Sequence, residues 1–176
     1  MKLLRTFFFA IFIFLAGHSI HAQGWGIRGG ANFSTLSDSD VKSQTGFYGG
    51  LYKQFGIVPK LLYIQPELQF SSQGFETETG STDLNYIQVP ILARLYVLKL
   101  FSFETGPQFG FLISDKTSGP INPDYNTFNT SWAFGMSINL PLGLFIDGRY
   151  ITGLSELTEN TSSKNQVIQV GAGIRF

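Results

Sequence analysis

From Gly24 onward, runs of residues that are apolar at every second position are separated by polar stretches lacking that rhythm. A period of two marks a strand with one apolar face and one polar or small face. Trp25, Ile27, Ala31 and Phe33 against Arg28, Gly30, Asn32 and Ser34 predict a first strand over Gly24 to Ser34. Phe47, Leu51 and Phe55 against Tyr48, Tyr52 and Gln54 predict a second over Thr45 to Phe55. Lys53 shares the apolar side of that strand near its end, where a long stem can carry the ammonium to water. The same alternation predicts strands over Leu61 to Ser72, Asn85 to Val97, Phe101 to Ile113 and Thr127 to Leu140. A seventh starts at Leu144 and an eighth covers Asn165 to Phe176.

The connections alternate in length. Long polar loops are predicted at Thr35 to Gln44, Gly74 to Asp83, Ser114 to Asn126 and Ser155 to Lys164. Short ones fall at Gly56 to Lys60, Leu98 to Leu100 and Pro141 to Gly143. The last strand would leave an unpaired edge unless it pairs with the first, and that pairing closes a barrel. The fold class predicted is therefore all-β: an eight-stranded antiparallel up-and-down transmembrane barrel. Pro66, Pro90 and Pro107 each remove a ladder N–H, so local bulges are expected there.

Alternation alone does not say which face points outward. A soluble lipocalin-like meander would turn its apolar residues inward. The second face holds Arg28, Glu67, Arg94, Glu104, Asp147, Arg149 and Arg175 among many Gly, Ser, Gln and Asn. Small and pairable polar groups fit a narrow lumen, whereas a wet outer surface would carry more Lys and Glu. The membrane reading is favoured. Trp25, Phe55 and Phe101 near one set of strand ends, with Phe33, Phe47, Phe70 and Phe111 near the other, then form two interfacial aromatic girdles.

The first residues change the picture of where this barrel sits. Lys2 and Arg5 precede an apolar run from Phe7 to Gly17, and Ala22 offers a small residue for cleavage. A signal peptide over 1–22 and a barrel domain over 23–176 are expected. N-terminal sequencing of the mature protein should begin at Gln23. Cleavage would remove His18 and His21, the only histidines, and the chain has no Cys. A mature chain without either excludes His relays, Ser-His nucleophiles and the usual zinc sites. No cofactor and no metal are expected. Of 176 residues only 14% are charged and the net charge is zero, which argues against a nucleic-acid partner.

GIRGGANFS from Gly26, YIQVPILARLYV from Tyr86 and GAGIRF from Gly171 resemble the PorT-like outer-membrane β-barrel family of Gram-negative bacteria. The resemblance covers most of the mature chain. It implies an outer-membrane location with both termini in the periplasm, and a belt of outer-membrane lipid. Ala172, Ile174 and Phe176 are similar to the C-terminal signal read by the barrel-assembly machinery. Some members take part in type IX secretion and gliding; the family implies no activity.

The function expected is a non-enzymatic structural or scaffold barrel of the envelope, with secretion-complex proteins as candidate partners. Small-ligand binding or transport at the lumen mouth is the alternative. Arg28, Arg94, Arg149 and Arg175 offer a cationic lining, or else pair with Glu67, Glu104 and Asp147 to plug the lumen. Eight strands leave an interior that side chains fill, which favours the plug. Glu67 and Glu104 are also available as an acid/base pair, but no nucleophile accompanies them. The predicted loops carry Asp38, Asp40, Glu76, Glu78, Asp83, Asp115, Asp124, Glu156 and Glu159 against Lys42, Lys116 and Lys164. That acidity reads as a solvated rim.

Overall fold

Alternation becomes inside and outside as soon as the strands pair. In a computed structural model, which describes residues 24–36, 42–77, 80–98, 100–118, 126–155 and 165–176, the regular structure of the described residues is all-β apart from one short 3-10 turn. The strands are β1 (Trp25–Leu36), β2 (Lys42–Lys53), β3 (Phe55–Val58), β4 (Leu62–Thr77) and β5 (Gly80–Val97). They continue with β6 (Phe101–Ser118), β7 (Phe128–Asn139), β8 (Leu144–Gly153) and β9 (Asn165–Arg175). Every pairing is antiparallel. β2 and β3 are one wall strand interrupted at Gln54, since both pair with β4. Pairing of β1 with β9 and of β2 with β4 closes the sheet, so the wall has eight strands. The expected signal peptide lies outside the described residues.

The apolar face is outermost. Ile27, Leu51, Leu68, Phe103, Phe134, Ile146 and Val170 are all exposed, whereas Arg28, Gln65, Glu67, Arg94, Glu104 and Arg149 are buried. That arrangement is inverted from a lipocalin and is the one a bilayer requires. At one end Phe47 lies 5.7 Å from Phe70, and Phe128 lies 5.3 Å from Phe111. At the other, the Lys53 ammonium sits 4.9 Å from the Trp25 ring centre and 5.4 Å from that of Phe55. Its stem runs along the apolar wall and its charge reaches the rim.

Several boundaries differ from expectation. The segment Gly74 to Asp83, expected as a loop, is strand on both sides of positions 78–79, with Thr77 opposite Gly80. β6 likewise runs to Ser118, past the predicted loop start at Ser114. β1 reaches Leu36 and β2 begins at Lys42, which shortens the first predicted loop. Nor is Gly56 to Lys60 all turn, because Phe55 to Val58 keeps pairing with β4. β4, β5 and β6 thus have 16, 18 and 18 residues, well beyond the roughly 9–11 that cross a membrane. The excess projects from the end where the long connections lie.

The bulges expected at Pro66, Pro90 and Pro107 do not form. Pro66 faces Ile91 and Gln69 faces Gln88 in one unbroken register. Pro90 faces Gln108 and Ala93 faces Thr105, again without a shift. A missing N–H deletes one bond of the ladder, and the flanking pairs hold the register. Register shifts occur instead between Asn85 and Tyr86, between Ser43 and Tyr48, and between Gly56 and Val58.

The short-turn end has its own signature. Lys60, Leu98 and Leu142 adopt left-handed φ of 66°, 53° and 62°. Such a backbone costs a side-chain-bearing residue about 1–2 kcal/mol. Backbone bonds tie the turns into one rim. Tyr96 N donates to Leu61 O at 2.8 Å, Asn139 N to Leu100 O at 2.6 Å and Phe176 N to Trp25 O at 2.9 Å.

Candidate functional site

Inward side chains of β1, β4, β5, β6 and β8 meet on the barrel axis. A guanidinium placed there has lost its water and needs carboxylates in exchange. Arg149, on β8, has them: Nη1 donates to Glu67 Oε2 at 3.0 Å and Nη2 to Glu67 Oε1 at 2.9 Å, a two-pronged grip. Its Nε donates to Glu104 Oε1 at 2.9 Å, and Nη2 reaches the same oxygen at 2.5 Å. Arg28, on β1, donates from Nη1 to Glu67 Oε2 at 3.2 Å, and from Nη2 to Tyr48 at 3.0 Å and to Asp147. Arg94, on β5, lies 3.3 Å from Glu104 Oε2.

Read in sequence of contact, the six charges alternate: Asp147, Arg28, Glu67, Arg149, Glu104, Arg94. Three guanidiniums face three carboxylates, so the chain sums to zero. Every side chain in it is at most 2% exposed. Neutral groups finish the satisfaction. Arg94 donates to Ser102 and Ser137, both at 2.9 Å from Nη2, and Gln65 Nε2 donates to Glu67 at 2.7 Å. The guanidiniums also lie over rings: Arg28 is 4.9 Å from the centre of Tyr48 and Arg94 is 5.2 Å from that of Phe145.

Arg175 departs from the expected set. It is exposed at the turn-end mouth, where Nη1 donates to Tyr96 OH at 2.7 Å. No carboxylate pairs with it among the described residues. The mouth pocket there, about 440 Å³, is lined by Gly24, Gln54, Gly56, Tyr63, Arg175 and Phe176. Gln54 and Tyr96 link the mouth to the ionic chain, through Gln54 Nε2 to Gln65 Oε1 at 2.6 Å.

Toward the other end the lumen is sealed differently. Leu92, Ala133, Ile151 and Val167 form a small apolar cluster. Beside it a space of about 20 Å³, lined by Gln73, Gln88, Gln108 and Ser131 among others, has room for a water molecule and not for a solute. Inward glycines, which the alternation does not single out, make room for the larger lumenal groups. A Cβ on Gly171 would stand 2.2 Å from Tyr48 OH, and one on Gly135 2.8 Å from the Glu104 side chain. With this cross-section filled, single-channel recording in a planar bilayer is expected to give negligible conductance. A stable ion-selective open state would contradict it.

Ala172, Ile174 and Phe176 lie on β9 or just past it and face outward. Of the acidic rim, Asp83 accepts from Gln44 Nε2 at 2.5 Å, and Lys42 stands in register with Glu76. Asp38, Asp40, Glu78, Asp124, Glu156, Glu159 and Lys164 lie outside the described residues. No group of His, Cys, Asp or Glu able to hold a metal occurs among the described residues. The carboxylates of Glu67 and Glu104 are both engaged by arginines.

Filled lumen, apolar outer band and two aromatic girdles describe a membrane barrel, and the sequence matches one. A family model described as the outer membrane protein beta-barrel domain covers residues 18–159. The chain belongs to that family. It is an outer-membrane β-barrel protein of the Gram-negative envelope. Solved structures of similar fold include Ail, the attachment invasion locus protein of Yersinia pestis. It is 18% identical with a TM-score of 0.55, over 88% of this chain and 99% of that one. Neisserial surface protein A is 13% identical at a TM-score of 0.60, over 87% and 97%. The outer membrane enzyme PagL is 12% identical at 0.51, over 86% and 99%. At such identities the likeness is one of fold. No curated protein matches the chain.

Proposed function

We propose that this outer-membrane barrel is a closed, non-enzymatic scaffold of the cell envelope, which holds partner proteins and neither passes nor converts a solute. The observation that carries the reading is the neutral chain of six alternating charges across the lumen. Those ions are committed to one another, so none is left to select or activate a substrate. A sequence without Cys, and without His beyond position 21, supports the non-enzymatic reading although PagL is an enzyme. The PorT-like motifs favour protein secretion of the type IX kind as the setting. Termini and short turns then face the periplasm, and Ala172, Ile174 and Phe176 serve the barrel-assembly machinery as its recognition signal.

The test is the mass of the native complex after mild detergent extraction from the protein's own outer membrane. A mass well above monomer, with other envelope proteins in the same peak, is expected. A clean monomer would refute the scaffold. One observation favours a second reading, small-anion binding at the mouth: Arg175 borders a pocket there and has no carboxylate partner among the described residues. Saturable binding of a small carboxylate to the monomer, lost on Arg175→Gln, would establish it.

A further inference from the structure

The rim at the short-turn end is unusual in three independent respects. Apolar groups stand clear of it: Leu98 and Leu142 are 86% and 88% exposed, while among the described residues no large apolar side chain on the wall exceeds 61%. Both leucines occupy left-handed turn positions, where Gly or Asn would sit without strain. Strain retained at an exposed tip points to a role for the side chain that bears it. Finally, the charged side chains of the rim have one sign. Lys53, Lys60 and Arg175 are there, and the sequence places Lys99 between Leu98 and Leu100. No Asp or Glu occurs in 24–26, 52–63, 95–103, 138–146 or 173–176.

Lipid does not account for Leu142, whereas Leu98 stands one residue past Val97, which pairs with Phe101. The girdle at this end is marked by Trp25, Phe55 and Phe101, and Phe101 pairs with Ile138. Leu142 lies at the tip of the 3-10 turn Pro141–Gly143, past the end of β7 at Asn139 and so beyond the girdle. At that level there is no hydrocarbon to enter. The two leucine-bearing turns are also fixed to each other, since Asn139 donates to Leu100 O from both N, at 2.6 Å, and Nδ2, at 3.2 Å. Apolar turn tips within a cationic border are the complement of a protein surface with apolar pockets among carboxylates.

We propose that the short-turn rim is a docking surface for an acidic protein partner, with Leu98 and Leu142 as apolar anchors and Lys53, Lys60 and Arg175 as the charge complement. The proposal rests on the scaffold reading and names the surface and partner chemistry it requires. It is tested on the full-length protein in its native outer membrane, with a photoreactive side chain at position 98, 142 or, at the opposite end, 115. Positions 98 and 142 are expected to give an adduct with one other protein through a net-acidic peptide, and position 115 none. The paired change Lys60→Glu with Arg175→Glu should lower that yield at least tenfold. So should Leu98→Asn with Leu142→Asn, assayed by cross-linking from position 61, because Asn accepts the left-handed backbone and the barrel still folds. Adducts with lipid alone, with a second copy of this chain, or of undiminished yield after charge reversal would overturn the proposal. If the native mass stays above monomer while positions 98 and 142 give no adduct, the scaffold survives and this surface does not. A monomer throughout would sink both.

Discussion

Glu67→Gln is expected to remove roughly 3–5 kcal/mol of barrel stability, the cost of leaving a buried ion without its partner. Glu67, like Glu104, is shared by two arginines through both oxygens: its Oε2 meets Arg28 and Arg149, and its Oε1 meets Arg149. Its removal leaves three guanidiniums facing two carboxylates. The surplus charge lies where the side chains are at most 2% exposed, so water does not screen it. Urea unfolding in lipid vesicles, followed by tryptophan fluorescence, measures the loss. Adding Arg149→Met restores neutrality, leaving Arg28 with Asp147 and Arg94 with Glu104, and should recover most of it. Arg175→Gln, outside the chain and exposed, is the control. A Glu67→Gln barrel no less stable than the Arg175→Gln barrel would mean that the lumen is wetter than its packing implies.

Gly30→Val should prevent closure altogether. Gly30 faces the lumen on β1 and stands opposite Gly171 on β9, at the seam that joins the first strand to the last. A Cβ there would meet Val170 O at 2.1 Å and Gly171 Cα at 2.5 Å. Those are backbone atoms of the partner strand, and they cannot rotate away as a side chain can. Overpacking a core ordinarily costs about 1–3 kcal/mol because neighbours adjust; here adjustment means parting the seam. The fraction of refolded protein that resists cold SDS should fall to background. Gly49→Ala makes the contrast, since a Cβ on Gly49 meets nothing within 4 Å and that variant should fold normally.

The membrane-facing part of this architecture is legible in the sequence because lipid imposes a strict demand on alternate residues. Where that demand stops, so does legibility. Beyond Ser72 and Ile113 the alternation fades, with Phe75 and Leu84 the only large apolar residues of the extensions, so Gly74 to Thr77 and Ser114 to Ser118 read as loops although the ladder continues. The prolines mislead for a different reason: backbone pairing on either side holds the register, which a residue-by-residue rule does not weigh. Within the lumen, the inward placement of Arg28, Glu67, Arg94, Glu104, Asp147 and Arg149 follows from alternation. Who pairs with whom depends on the stagger between strands, and Arg175 falls outside the group because it lies a turn nearer the rim. The glycines opposite Tyr48 and Glu104 are silent in the sequence, as only the cross-lumen packing gives them meaning.

The alternating ions also bear on time. Arg149 and Glu67 are 82 residues apart, and Arg28 and Asp147 are 119 apart. Such partners meet only after β8 has come round to β1, so apart from the Arg94–Glu104 pair inside the β5–β6 hairpin the ionic chain cannot help the early hairpins form. Interactions absent from the transition state slow unfolding and leave folding speed unchanged. The lumen therefore acts as a latch thrown after closure, and a finished barrel should stay shut far longer than its equilibrium stability alone would suggest.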